Sequence, residues 1–235
     1  MNGESENVCV IEVMGERIVL LPCRGAFWPA AGTLLIADVH LGKADALKSV
    51  GVPLPTGPML EDQLRTIEGA MLATGAGRLL VLGDLLHAPI GLTADLVDRV
   101  AAWRKGFDFE IALVPGNHDR RIDRVASAWG LRELSAAHRE GPFVFTHEPC
   151  VHEGAFTWCG HLHPAVTLRS AADSIKLPCF HIRPAMGVLP AFSRFTAGGP
   201  VEHRERDRVF AMYGDRVMEV PHPTRRSRGS AAGVG

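Results

Sequence analysis

The chain has 235 residues, 46% hydrophobic and 22% charged, with a formal net charge of -1. That size and balance suit one α/β domain with a sizeable core. The near-zero charge demands neither a nucleic-acid nor a membrane partner and forbids neither, because a local basic rim can serve; no stretch is long and apolar enough to span a bilayer.

In chain order, residues 8–13 and 17–21 are apolar runs around Met14-Gly15-Glu16 and predict a hairpin. Residues 33–40 read as a buried strand entering a polar loop, 42–51 as a loop and short helix, and 52–58, with three prolines, as a break. From 59 to 75, Leu60, Leu64, Ile67 and Met71 recur at helical spacing, and Gly75 or Gly77 ends that helix. Residues 78–87 are the next strand and loop. Residues 93–106 predict a helix with Thr93 as N-cap and Asp95 and Asp98 near its start. Residues 109–119 form a third strand, and 121–130 a short helix.

This alternation implies parallel βαβ units. After residue 140 strand follows strand, over 142–148, 156–164, 165–169, 174–182 and 207–220, the last a hairpin across Gly214-Asp215. A second sheet stacked on the first follows. Residues 1–220 are expected to be one domain, and the Arg/Gly/Ala-rich residues 221–235 a disordered tail. Five cysteines, an odd number with no CxxC, read as reduced thiols. The polar, acidic first eight residues argue against a signal peptide, so a soluble cytoplasmic protein is expected.

Five short stretches supply metal-ligating side chains: Asp38-Val39-His40, Gly83-Asp84, Gly116-Asn117-His118-Asp119, His147 and Gly160-His161-Leu162-His163. Four of them follow or close a strand-like run. Strand ends of an α/β protein converge on one sheet edge, so side chains this far apart in sequence can meet. Mixed oxygen and nitrogen ligands suit Mn, Zn, Fe or Co. The ligands are too many for one ion. Two ions sharing a carboxylate form a device for displacement at phosphorus.

The ordered set D-x-H, G-D, G-N-H-D, H, G-H-x-H resembles the calcineurin-like metallophosphoesterases over roughly residues 33 to 165. The resemblance implies a four-layer α/β/β/α sandwich with two stacked mixed sheets. It implies Asp38, His40 and His163 on one ion, Asn117, His147 and His161 on the other, and Asp84 as the bridge. His118 would face substrate, stabilising charge or protonating the leaving oxygen. Asp119 would orient that imidazole, or only cap the following helix. His87, Arg120 and Arg121 are further substrate contacts, with ordinary surface or supporting roles as the alternative. His138, His152, His203 and His222 sit in no motif and read as ordinary hydrogen-bonded histidines.

Finer segments, among them residues 38–55, 83–88, 141–149 and 189–198, resemble a bacterial branch, the ligase-associated DNA-damage-response endonucleases. This implies a dinuclear, typically manganese-dependent phosphodiesterase using a hydroxide between the ions, with Fe, Zn or Co as alternative metals. It also implies DNA as substrate and repair proteins such as a ligase or helicase as partners. Arg124, Arg183, Arg194, Arg204, Arg206, Arg208, Arg225, Arg226 and Arg228 add cations for flanking phosphates. Phe192 and Phe195 either stack bases or fill the core. The rival readings are a phosphodiesterase or phosphatase for small molecules, such as cyclic nucleotides or nucleotide anhydrides, and a non-catalytic scaffold. Oligomeric state, a homo-oligomer included, stays open.

Overall fold

The computed structural model describes residues 7–170 and 173–222. The expected disordered tail lies outside these from residue 223 on. The chain opens with the expected hairpin, β1 (Cys9–Val13) and β2 (Glu16–Leu20). Met14 and Gly15 both take positive φ, 52° and 79°, as a two-residue turn matched to the strand twist requires. β3 (Ala26–Trp28) and β4 (Thr33–Ile36) continue antiparallel; β5 (Arg78–Leu82), β6 (Glu110–Val114) and the short β7 (Leu131–Glu133) are added in parallel.

Helices fill the crossovers. α1 (Lys43–Ser49) and α2 (Thr56–Thr74) join β4 to β5, and α3 (Ala94–Arg104) joins β5 to β6. Leu60, Leu64, Ile67 and Met71 are the buried face of α2, and Gly75 at φ 65° ends it. The Thr93 side chain accepts from the Leu96 N–H and caps α3 as expected.

The second sheet holds β8 (Ala137–Glu140), β9 (Phe143–Thr146), β10 (Phe156–Cys159), β11 (Pro164–Arg169), β12 (Ser174–Arg183), β13 (Met186–Val188), β14 (Gly199–Pro200), β15 (Arg208–Tyr213) and β16 (Arg216–Val220). Its order is β14-β11-β12-β13-β10-β9-β8, with the β15–β16 hairpin attached through β12. β9, β10 and β13 run parallel and most other pairs antiparallel. Both sheets are therefore mixed.

Alternation along the parallel strands explains the stacking. Leu34, Ile36, Leu79, Val81, Ile111 and Leu113 face α2 and α3; Leu35, Leu80, Leu82, Ala112 and Val114 face the second sheet. Both faces are buried, which is why these strands read as unbroken apolar runs. The second sheet answers with Phe143, Phe145, Phe156, Trp158 and Phe180. Trp28 and Phe143 meet edge to face at 4.9 Å.

One expectation needs correction. The segment 121–130 is not an α-helix but a 3-10 turn, Ile122–Arg124, followed by turns. Its backbone N–H groups bond mainly three residues back, Ile122 to Asp119, Arg124 to Arg121 and Val125 to Ile122, which closes 3-10 turns in place of α turns. The two stacked mixed sheets of the expected sandwich are present, and its helices are few: among the described residues the outer face of the second sheet carries no α-helix. Leu177, Cys179, Val209 and Ala211 there pack with Val166, Leu168, Val201 and Val220. No helix of the described residues is long and apolar enough to cross a membrane.

Candidate metal centre

The expected ligands leave the C-terminal ends of five strands: Asp38 and His40 after β4, Asp84 after β5, Asn117 after β6, His147 after β9, and His161 and His163 after β10. Backbone bonds carry the pairing into these loops. Asp38 N–H donates to the Gly83 carbonyl (3.1 Å), His40 N–H to that of Asp84 (2.9 Å), and Gly160 N–H to that of His147 (3.1 Å). Each sheet's pairing thus continues along one edge, and the His161 N–H donates across to Asp38 Oδ2 at 3.0 Å, joining the two sheets there.

Asp38, His40, Asp84, His147 and Asp119 are buried; Asn117 and His161 are exposed at the rim. Five of the seven non-glycine residues with positive φ among the described residues are expected ligands: Asp38 (55°), His40 (53°), Asp84 (51°), His161 (67°) and His163 (47°). This conformation costs of order 1–3 kcal/mol per residue and persists only where the surroundings enforce it. Its concentration here aims side chains into one space.

Two groups of three form, Asp38–His40–His163 and Asp84–His147–His161, and within each the ligand atoms lie within 4.8 Å of one another. In the second, His147 Nδ1 faces the Leu82 carbonyl at 3.0 Å. A carbonyl only accepts, so Nδ1 carries the hydrogen and Nε2 is turned to the cleft. There Nε2 lies 3.0 Å from Asn117 Oδ1, 3.1 Å from His161 Nδ1 and 3.4 Å from Asp84 Oδ2. This convergence of electron-rich atoms is the environment of a cation, and orienting a ligand histidine through its other nitrogen is how metal sites are built. Burial works against a charge on His147, but the hydrogen bond and charge of Asp84 outweigh it and raise its pKa.

In the first group, His40 Nε2 and His163 Nε2 face each other at 3.4 Å, and His163 Nε2 lies 3.3 Å from Asp38 Oδ1. Burial holds His40 neutral, its pKa lowered to about 3 despite the opposing charge of Asp84. A neutral imidazole is the form that ligates a metal. The donor set and these close approaches fit a pair of divalent ions. Asp84 belongs to the second group yet its charge acts on His40 of the first, so it lies where a shared carboxylate is wanted. Burial works against its ionisation, but the hydrogen bonds from His147 and the His118 N–H keep its pKa low.

The glycines before the ligands leave room for them. A Cβ on Gly83 would sit 2.2 Å from His147 Nδ1, and one on Gly160 would sit 2.7 Å from Asp38 Oδ2.

His118 is the half-exposed neighbour of this centre, with Nε2 3.9 Å from Asp84 Oδ2. Its Nδ1 faces the His87 carbonyl at 2.5 Å. The expected pairing with Asp119 is therefore corrected. Both Asp119 oxygens are taken by backbone N–H groups, of Leu86 at 2.9 Å and of Gly116 at 2.8 Å. Asp119 ties the Asp84 loop to the Asn117 loop, and a backbone carbonyl orients His118 instead. The His87 ring stacks on His118 at 5.6 Å and stands edge-on to His40 at 5.4 Å, so His87 belongs to the cleft.

Arg120 and Arg121 are exposed, and Arg120 shares a surface depression with Asn117. Arg208 is not free for substrate: its guanidinium is bidentate to Glu219 at 2.7 and 2.9 Å. Arg204 pairs with Glu202 at 3.3 Å. Arg225, Arg226 and Arg228 lie outside the described residues. Phe192 is core, while Phe195 is 48% exposed. His138, His152, His203 and His222 have their own partners away from the centre.

Supporting residues escaped the sequence reading. Gln63 of α2 donates to the Val39 carbonyl at 2.8 Å and holds the Asp38–His40 loop. Arg24 donates to the carbonyls of Ala191 and Ser193. Neither stands in a motif. Lys43 had a signal, three residues after His40, and its charge reaches His40 and His87.

No family model and no curated protein matches the chain. Among solved structures, the nuclease MPE of Pseudomonas putida is 30% identical, with a TM-score of 0.79 over 91% of this chain and 100% of the nuclease. Yfce, a phosphoesterase from E. coli, is 16% identical, with a TM-score of 0.39 over 80% of this chain and 97% of its own.

Proposed function

The chain belongs to the metallophosphoesterase family, as a metal-dependent phosphoesterase, and we propose that within it the protein is a dinuclear phosphodiesterase that cuts nucleic acid, DNA first, in the service of DNA repair. The observation that carries this reading is the pair of Asp–His–His groups on one sheet edge, joined to the likeness with a nuclease over that nuclease's whole length. Asp38, His40 and His163 would hold one divalent ion, Asn117, His147 and His161 the other, and Asp84 both. Manganese is the proposed metal. Ions so held would activate water and offset charge on the phosphate.

The chain's own groups do the rest. His118 is half exposed beside Asp84, with its Nδ1 hydrogen given to the His87 carbonyl. That bond fixes the ring and presents Nε2 to the leaving oxygen, where it can hold or deliver a proton. Asp119 keeps the two loops in register through Leu86 and Gly116. Arg120 and Arg121, on the rim, meet flanking phosphates. Five unpaired thiols suit a reducing cytoplasm.

A diester carries one negative charge and needs an activated nucleophile more than a dianion pocket. Manganese-reconstituted protein should therefore hydrolyse bis-p-nitrophenyl phosphate faster than p-nitrophenyl phosphate. It should also nick DNA, less as salt rises. Strong monoesterase activity without action on DNA overturns the reading in favour of a small-molecule substrate.

A further inference from the structure

Beside the first Asp–His–His group lies a cavity of about 210 Å3, walled by Lys43, Met59, Leu60, Leu96, Arg194 and Phe195. Both its walls begin at expected ligands. Lys43 N–H donates to the His40 carbonyl at 3.1 Å, and Ser193 N–H donates to the Asp38 carbonyl at 3.1 Å. No expected ligand lines the cavity itself, but its Lys43 and Ser193 walls hang directly on the loop that carries Asp38 and His40. It is smaller than the roughly 300–1,000 Å3 usual for drug-sized ligands, so it takes one flat ring and not a dinucleotide.

We propose that this cavity seats one nucleobase of the substrate strand, next to the phosphate under attack, with Phe195 as its stacking face. The proposal rests on the nucleic-acid reading above and names the contact by which the strand is held.

Three observations support it. Phe192 and Phe195 are three residues apart, yet Phe192 is 4% exposed and Phe195 48%. The fold spends the first on its core and leaves the second at the surface of an apolar hollow. Next, the loop that carries Phe195 is pinned at both ends. Arg24 Nη1 donates to Ala191 O (3.1 Å) and Ser193 O (2.8 Å), while Lys176 Nζ donates to Ala197 O (2.8 Å) and Gly198 O (2.7 Å). Gly199 N–H then donates to the His163 carbonyl at 2.7 Å. Two cations fixed on loop carbonyls make a preorganised wall, which lowers the ordering cost of binding.

The third observation is charge. Lys43 forms no ion pair among the described residues, and Arg194 reaches Asp62 only at 3.9 Å. Apolar walls with loose cations at the rim match a base between two phosphates. Asp45, also on the lining, offers an acceptor to a ring N–H such as that of thymine or to an exocyclic amine.

The test uses the manganese-loaded full chain and two labelled decamers with cleavage-resistant phosphorothioate links, one of thymidine and one abasic, read by fluorescence anisotropy. Native protein should bind the thymidine decamer more tightly. Phe195→Ala should weaken that binding about 5- to 150-fold, the span of base–aromatic stacking, and leave the abasic decamer unchanged. Phe195→Trp should restore binding, and Phe195→Leu, apolar but not flat, should not. If native protein nicks DNA while Phe195→Ala binds both decamers like the native chain, the base seat is wrong and the nuclease reading stands. If native protein neither binds nor nicks DNA, both fall.

Discussion

The two Asp–His–His groups use the same residue types but are held differently. His147 is clamped through Nδ1 to the Leu82 carbonyl, and its Nε2 faces Asn117, His161 and Asp84 at 3.0 to 3.4 Å. His40 is equally buried, but its Nδ1 has no hydrogen-bond partner, and the carbonyl nearest in sequence serves the backbone of Lys43 instead. His147 is oriented by a hydrogen bond from behind, His40 by packing and a strained backbone. The lesson is that equal ligand lists do not make equal sites: the outer partners set how firmly each ligand is aimed.

The largest effect separates chemistry from both groups. His118→Ala should lower kcat by about 10²–10⁴, the range for an acid catalyst, while metal content by elemental analysis stays native. Loss of metal would make His118 a ligand and remove its proposed role.

Calorimetric titration with manganese should resolve two classes of site differing by about 10- to 100-fold, the usual weight of outer hydrogen-bonding partners. His147→Ala should abolish the tighter class and His40→Ala the weaker. The reverse pattern breaks the distinction drawn here.

A finer probe acts from behind the ligands. Gly83→Ala presses on the His147 ring and must adopt φ +76°, whereas Gly160→Ala presses on Asp38. Each should cost about 1–3 kcal/mol in thermal unfolding, as overpacking does. Gly83→Ala should weaken the tighter manganese class first, and Gly160→Ala the other. Equal damage to both classes would show that the groups act as one rigid unit.

The smallest effect leaves both groups intact. Arg120→Ala and Arg121→Ala should each reduce the slope of log affinity for DNA against log salt by about 1, with metal binding unchanged. An unaltered slope would leave these arginines as ordinary surface residues.

Strands β1, β2, β4, β5 and β6 of the first sheet, the capped helix at Thr93 and both hairpins were legible because their signals are local: period, cap and turn residue. The short strands β3, β7, β8, β13 and β14 were not, since two to four residues carry no period of their own and pair only because a neighbour is already in place. The helix expected at 121–130 failed for the same reason in reverse. Its apolar residues Ile122, Val125 and Trp129 are buried as a helix would bury them, but the chain reaches those positions through turns.

By itself the sequence determined which side chains gather at the strand ends, because ligand chemistry and the direction of parallel strands are both written in residue type and order. It could not decide what holds them. Asp119 stands beside His118 in the chain, yet its oxygens go to Leu86 and Gly116, and His118 turns to the His87 carbonyl. Likewise nothing in the order of residues separates Phe192 in the core from Phe195 at the cavity. Hydrogen bonds to backbone carbonyls and N–H groups depend on where two distant loops cross, and every residue has the same backbone, so only the tertiary structure could assign those partners.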